Sequence, residues 1–394
     1  MEKIKVLSIF GTRPEAIKMA PLVKEMEKED KIESYVCITA QHREMLDQVL
    51  EIFEIKPDYD LNIMEQRQDL VTIITKALEG LYQVINGLKP DLVLVHGDTS
   101  TTFAGALAAF YNKIPVGHVE AGLRTYDKYS PYPEEINRVL TGKIAEIHFA
   151  PTLRNKENLI KENVKEGIYV TGNTVIDALK YTVDTNYVFK DPQLKEIDFG
   201  NGKHILLTAH RRENLGERLG NICRAVKRLV ENFEDLVVIY PVHLNPAVRE
   251  TVNSILGGIK RVLLIDPIDV QDMHNLMYKS YLVMTDSGGL QEEAPSLGKP
   301  VLVLRTETER PEAVEAGTVK LAGVNEDDIY NMAYQLLTDK NTYETMAQAV
   351  NPYGDGNASR RIVQAILHKF GFGARPEDFR VETHQKMGII KKGK

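Results

Sequence analysis

Cysteine is scarce in this chain: 394 residues carry only Cys37 and Cys223. The two are far apart and in no metal-ligand spacing, which argues against a disulfide framework and against a cysteine-based zinc module. No apolar run reaches the roughly 18 residues that a membrane-spanning helix needs. The first residues, Met1-Glu-Lys-Ile-Lys-Val-Leu-Ser-Ile-Phe10, pass straight into strand-like sequence without a signal-peptide pattern. A cytoplasmic protein outside the membrane is therefore expected. Lys and Arg together number 49 against 56 Asp and Glu, giving a net charge of −7. No basic block dominates, so nucleic acid is not an expected partner. The Gly-x-Gly-x-x-Gly fingerprint, the Walker loop and the Gly-x-Ser-x-Gly elbow are all missing. Redox-nucleotide and hydrolase readings lack their residues, and neither a cofactor nor a metal is expected.

What is present is an ordinary globular composition, 43% hydrophobic and 27% charged, in a chain long enough for two domains. Short apolar runs alternate with helix-length amphipathic segments. Strands are predicted at Val6–Phe10, Tyr35–Thr39, Leu92–His96, Val116–Val119, Ile147–Ala150 and Ile168–Thr171, then at Ile205–Thr208, Leu236–Tyr240, Arg261–Ile265, Tyr281–Thr285 and Pro300–Leu304. Glu15–Glu29, Leu70–Leu88, Leu215–Asn232 and Asp327–Leu337 have helical spacing. Repeated βαβ units imply an α/β fold with two parallel sheets. The expected division is an N-terminal domain over 1–172, a C-terminal domain over 173–356, a last helix over 357–373 and a flexible tail over 374–394.

Ligands of open α/β sheets bind beyond the carboxyl ends of strands, so the residues that follow each strand are the candidates. After the first comes Gly11-Thr-Arg-Pro-Glu-Ala-Ile-Lys18, where Pro14 suits the first helical position and Arg13 and Lys18 flank a helix start that can receive an anion. His96-Gly-Asp-Thr99 puts Asp98 at a strand end, as a functional carboxylate or a helix cap. Glu120, Arg124, Glu134 and Arg138 form an ionic cluster, either functional or a salt-bridge network. Glu134 and Glu135 are adjacent, so on a helix they point about 100° apart and only one should face a site. In the second half, His210 ends a strand beside Arg211 and Arg212, and His243 has the same placement one strand later. Thr285-Asp-Ser-Gly-Gly-Leu-Gln-Glu-Glu293 reads as a strand, a Gly-Gly turn and a helix from near Leu290. Such a turn suits a diphosphate, with a ribose diol on a glutamate of the first helical turn. Arg310 follows the next strand.

Gly11-Thr-Arg-Pro-Glu-Ala-Ile-Lys18, His96-Gly-Asp-Thr99, His118-Val-Glu-Ala-Gly-Leu-Arg124, Tyr132-Pro-Glu-Glu135, His210-Arg-Arg-Glu213 and Thr285-Asp-Ser-Gly-Gly-Leu-Gln-Glu-Glu-Ala-Pro-Ser296 resemble the non-hydrolysing UDP-N-acetylglucosamine 2-epimerases. The resemblance runs over about residues 3–370. It implies a GT-B-like fold, two Rossmann-like domains with a deep interdomain cleft, and a last helix crossing back to the first domain. The implied reaction interconverts UDP-GlcNAc and UDP-ManNAc without a cofactor, through elimination of UDP to a 2-acetamidoglucal and re-addition. By the same resemblance Asp98, Glu120, Glu134 and His210 are catalytic. Arg13, Lys18, Ser287, Gly288, Gly289, Glu293 and Arg310 bind UDP, with Glu293 on the ribose.

Some members also bind a second UDP-GlcNAc as an activator, and Gln41, Arg67, Arg211 and His243 resemble that site. Glu44 stands where the family often has glutamine, and a carboxylate there would repel a diphosphate. A homodimer and a role in cell-surface polysaccharide synthesis are further implications. The rival readings are a hydrolysing epimerase, a GT-B glycosyltransferase and a nucleotide-sugar sensor. Arg13-Pro14-Glu15 stands where hydrolysing relatives usually have Arg-Ala-Asp, and the sensor would not need the acids.

Overall fold

Two parallel sheets organise the chain in a computed structural model that describes residues 3–40, 43–65 and 68–381. The first has seven strands in the order β3-β2-β1-β4-β5-β6-β7. They are β1 Ile4–Phe10, β2 Ile32–Ile38, β3 Tyr59–Asp60, β4 Leu92–His96, β5 Val116–Val119, β6 Ile147–Ala150 and β7 Ile168–Val170. The second has six in the order β10-β9-β8-β11-β12-β13. They are β8 Lys203–Thr208, β9 Leu236–Pro241, β10 Val262–Ile265, β11 Leu282–Thr285, β12 Val301–Val303 and β13 Val319–Leu321.

The central strands are buried on both faces, which is why they read as unbroken apolar runs. Leu7, Ile9, Val93 and Val95 pack with Ala104, Ala108, Leu81 and Ile85 from the helices Ser100–Tyr111 and Leu70–Leu88. Ile205, Leu207, Val238 and Met284 make the equivalent layer of the second sheet with Ile222, Val226 and Leu229. In each sheet the winding reverses once, between β1 and β4 and between β8 and β11. Chain segments diverge at such a switch point and leave a crevice at the strand ends.

The chain divides into a unit of Met1–Tyr181 with Tyr353–Arg380 and a unit of Thr182–Pro352. The first division falls after the helix Thr174–Thr182 has begun, later than position 172. The helix Ala358–Lys369 belongs to the first unit, where Ala358 and Ser359 donate their N–H groups to Asp177 at 3.1 and 2.8 Å. The expected flexible tail differs over 375–379. Phe379 N–H donates to the Val170 carbonyl at 2.7 Å, and Asp378 accepts from Val170 N–H at 3.1 Å and pairs with Lys156 at 2.7 Å. These bonds meet the edge of β7, and burial of the Phe379 ring adds an apolar anchor. Residues 382–394 of that tail lie outside the described residues.

Candidate active site

In the first unit the turns after β1 and β4 are neighbours at the switch point. Gly11 is the only residue type that fits the first turn: a Cβ would lie 2.0 Å from Thr39 Oγ1 and 2.6 Å from Thr101 Oγ1. The helix Arg13–Met26 starts there, with Arg13 half-buried at its first position and Pro14 second. The buried carboxylate of Glu15 accepts from the N–H groups of Gly11 (3.1 Å) and Thr12 (2.8 Å) and from the hydroxyls of Thr12 (2.8 Å) and Thr99 (2.7 Å). It therefore ties the two turns together. Burial raises its pKa, and the donors oppose that rise.

Asp98 follows Gly97, whose φ of +68° turns the chain out of β4. Arg138 Nη2 donates to Asp98 Oδ2 at 2.5 Å, and Asn137 Nδ2 donates to the Asp98 carbonyl at 3.0 Å. Burial pushes the Asp98 pKa up, Arg138 pulls it back, and the charges of Glu120 and Glu134 push it further up. Glu134 is the half-buried first residue of the helix Glu134–Ile144. Glu135 accepts from the N–H groups of Thr125 and Tyr126, and its Oε2 lies 3.3 Å from Nη1 of Arg138, the cation that also holds Asp98. Glu120 follows β5 in the left-handed region, φ +62°. Its Oε2 accepts from Lys18 Nζ and from Asn173 Nδ2, the latter at 2.9 Å, and lies 3.8 Å from His96 Nε2. Burial lowers the His96 pKa to about 4, so that ring is neutral near pH 7. Arg124 is taken by a two-pronged bond to Glu162 at 2.6 and 2.9 Å and braces the loop.

In the second unit the turns after β8 and β11 meet at the other switch point. Thr208 faces Thr285 across the ladder, and Asp286 follows as a fully buried carboxylate. Its Oδ2 accepts from the N–H groups of His210 and Arg211, each at 2.8 Å, and from Asn214 Nδ2 at 3.0 Å. The His210 ring is partly exposed, with Nδ1 3.7 Å from Asp286 Oδ1, and stacks on His243 at 5.4 Å between centroids and 8° between planes.

The following helix starts at Gly288, two residues before the expected start near Leu290, with Ser287 as N-cap. A Cβ at Gly288 would lie 3.9 Å from Arg310 Nη2 and 4.0 Å from Arg211 Nη2. Two guanidinium groups thus border a helix start whose first N–H groups have no helical partner by position. Glu292 and Glu293 are buried; Glu292 pairs with Arg310, and Glu293 Oε2 lies 3.5 Å from His274 Nε2.

The structure therefore gathers Asp98, Glu120, Glu134 and Lys18 in the first unit and His210, His243, Arg211, Ser287, Gly288, Gly289 and Arg310 in the second. Lys18, expected on the nucleotide, is paired with Glu120. Arg211, expected at an activator site, borders the Gly-Gly turn together with Arg310. Gln41, Arg67 and the Glu44 side chain lie outside the described residues. Sequence reasoning passed over Glu15, Asp286, His274 and Asn173. Asp286 alone had a readable signal, an acid at a strand end just before an anion-binding turn. Among the described residues no cluster of three or more His, Cys, Asp or Glu is placed to hold a metal ion, and no helix is long and apolar enough to cross a membrane.

Two Rossmann-like units, one with carboxylates at its switch point and one with an arginine-flanked Gly turn, define a GT-B-like α/β protein. Comparison with known proteins agrees. The family model described as UDP-N-acetylglucosamine 2-epimerase matches residues 24–367. A Bacillus subtilis protein of that name is 61% identical over 96% of this chain and 99% of its own length. A crystal structure described as a UDP-N-acetylglucosamine 2-epimerase is 58% identical, with a TM-score of 0.89 over 96% of this chain and all of that one. The Neisseria meningitidis enzyme bound to UDP-GlcNAc is 53% identical, with a TM-score of 0.84 over 93% of this chain and 100% of that one. The chain belongs to the UDP-N-acetylglucosamine 2-epimerase family.

Proposed function

We propose that the chain is a non-hydrolysing epimerase that interconverts UDP-GlcNAc and UDP-ManNAc. The observation that carries this reading is the pair of carboxylates at the ends of adjacent strands, Asp98 after β4 and Glu120 after β5. Asp98 is held by Arg138, which it shares with Glu135, and Glu120 is held by Lys18. Removing the weakly acidic C2 proton needs a base together with stabilisation of the departing diphosphate. In the proposed reaction a carboxylate takes the C2 proton and the C1–O bond breaks. UDP leaves with the bonding pair, and a C1=C2 double bond forms in the 2-acetamidoglucal. The diphosphate oxygen then adds back to C1, and a carboxylic acid delivers a proton to the opposite face of C2. Atoms and charge balance without a redox partner.

Asp98, Glu120 and Glu134 are the proposed acid/base set, and His210 is the proposed catalytic histidine. Arg13, Lys18, Ser287, Gly288, Gly289 and Arg310 are the proposed UDP-binding residues, and Glu293 is proposed to hold the ribose diol. UDP-GlcNAc acting also as activator through Arg211 and His243, a homodimer, a cytoplasmic location and supply of ManNAc units for surface polysaccharide complete the reading.

Incubation with UDP-GlcNAc in D2O tests it, with the C2 proton followed by NMR. Deuterium at C2 with UDP-ManNAc accumulating is the expected result. Release of free ManNAc would transfer the chain to the hydrolysing class. No exchange would overturn the proposal and reopen the glycosyltransferase and sensor readings.

A further inference from the structure

Asn173 sits in the Thr171-Gly-Asn-Thr174 stretch, which the sequence marks as a domain boundary and to which no chemistry has been given. It is 3% exposed, and its Nδ2 donates to Glu120 Oε2 at 2.9 Å. The orientation of the amide is set by a second bond: Val175 N–H donates to Asn173 Oδ1 at 3.1 Å, so the nitrogen end must face the carboxylate. The backbone is fixed as well. Asn173 N–H donates to the Tyr353 carbonyl at 2.6 Å. Gly172, at φ +83°, approaches so near that a Cβ would lie 3.3 Å from Gly354 Cα.

We propose that Asn173 is a positioning residue for Glu120, binding one oxygen of its carboxylate and selecting its ionised form. The proposal rests on the reading of Glu120 as an acid/base group. Lys18 and Asn173 both donate to Oε2, and two donors on one oxygen favour a carboxylate over a carboxylic acid. Oε1 lies on the side of Gly97, where an ideal Cβ would be 3.9 Å away. Lys18 from the first helix, neutral His96 from the end of β4, Asp98 from the next turn, and Asn173 all face this carboxylate. Asn173 acts through an immobile dipole rather than through charge.

The test compares wild type, Asn173→Asp and Asn173→Ser. Asp keeps the cap on Val175 but sets a carboxylate against Glu120. Ser keeps a shorter cap and cannot reach. For both, kcat should fall roughly tenfold or more while KM stays within about threefold. In Asn173→Asp the acid limb of the kcat profile should also move to higher pH, because a like charge disfavours the ionised form. Wild-type kcat and an unmoved acid limb in the Asp variant would overturn the proposal. Should that variant fail to fold, wild-type kcat in Asn173→Ser would do the same. Absence of C2 exchange in the wild type would instead count against the epimerase reading itself.

Discussion

Asp286 lies beneath His210 and holds its backbone: the carboxylate accepts the N–H groups of His210 and Arg211, each at 2.8 Å. The same oxygen also accepts from Asn214, whose amide donates in turn to the Leu304 carbonyl. One buried charge thus shapes the loop after β8 and joins it to the turn after β11. Asp286→Ala removes the acceptor and leaves buried donors unmet, at a cost of roughly 1–3 kcal/mol for each that finds no substitute. His210 and Arg211 would then shift, and displacement of a catalytic group by about 1 Å costs up to about a hundredfold in rate. The expected outcome is a large fall in kcat with a lowered Tm. Normal kinetics in a folded variant would show that the loop does not need this anchor.

Gly288 offers a cleaner test of the anion cradle, because its φ is not in the left-handed region and a methyl there meets nothing nearer than 3.9 Å. Gly288→Ala should fold with a Tm no lower than that of wild type, since Ala is a better helix residue than Gly. The added methyl would occupy the space in front of the helix start, between the bound phosphate and the N–H groups it is proposed to use. UDP binding measured by calorimetry should weaken about tenfold, about 1.4 kcal/mol. Unaltered affinity would move the diphosphate away from this turn.

These two residues illustrate what could be read from sequence. β4, β5 and β6 coincide with the predicted runs because central strands buried on both faces are continuous apolar runs with polar turns at each end. β3 and β13 escaped because they are edge strands of two and three residues, too short to carry a pattern. Asp98, Glu120 and the Gly-Gly turn were visible as residues that follow such runs. Their partners were not. Lys18 and Glu120 are 102 positions apart. Their meeting depends on the order of the strands within the sheet, which periodicity does not encode. Glu134 and Glu135 are equivalent in sequence, and the bonds of Glu135 to the backbone of Thr125 and Tyr126 and its pair with Arg138 depend on the fold. The segment 375–379 read as a tail because its anchoring uses backbone bonds to an edge strand and one aromatic ring, a signal too sparse for composition to reveal.

His96, His118 and His148 sit on the adjacent strands β4, β5 and β6, with His118 and His148 directly paired in the ladder. All three are buried, and burial lowers their pKa values to about 4, 3 and 4. A base whose folded pKa lies below its ordinary value of 6.5 is protonated first in the unfolded chain. Its contribution to stability is therefore complete above pH 6.5 and is lost as pH falls toward the folded value. Asp177, raised to about 6 by burial, works in the opposite direction and loses its contribution as pH rises through that value. The whole-protein profile mixes the two, so a single substitution must isolate the imidazole. His148→Gln removes one titrating ring from β6, where burial is the leading cause of the shift and Arg124 adds to it. Between pH 6.5 and about 4 the stability advantage of wild type over this variant should shrink by up to about 1.4 kcal/mol per pH unit, and above pH 7 it should be flat. Urea unfolding of both proteins across that range measures it. A difference independent of pH would mean that His148 is not held neutral in the folded sheet.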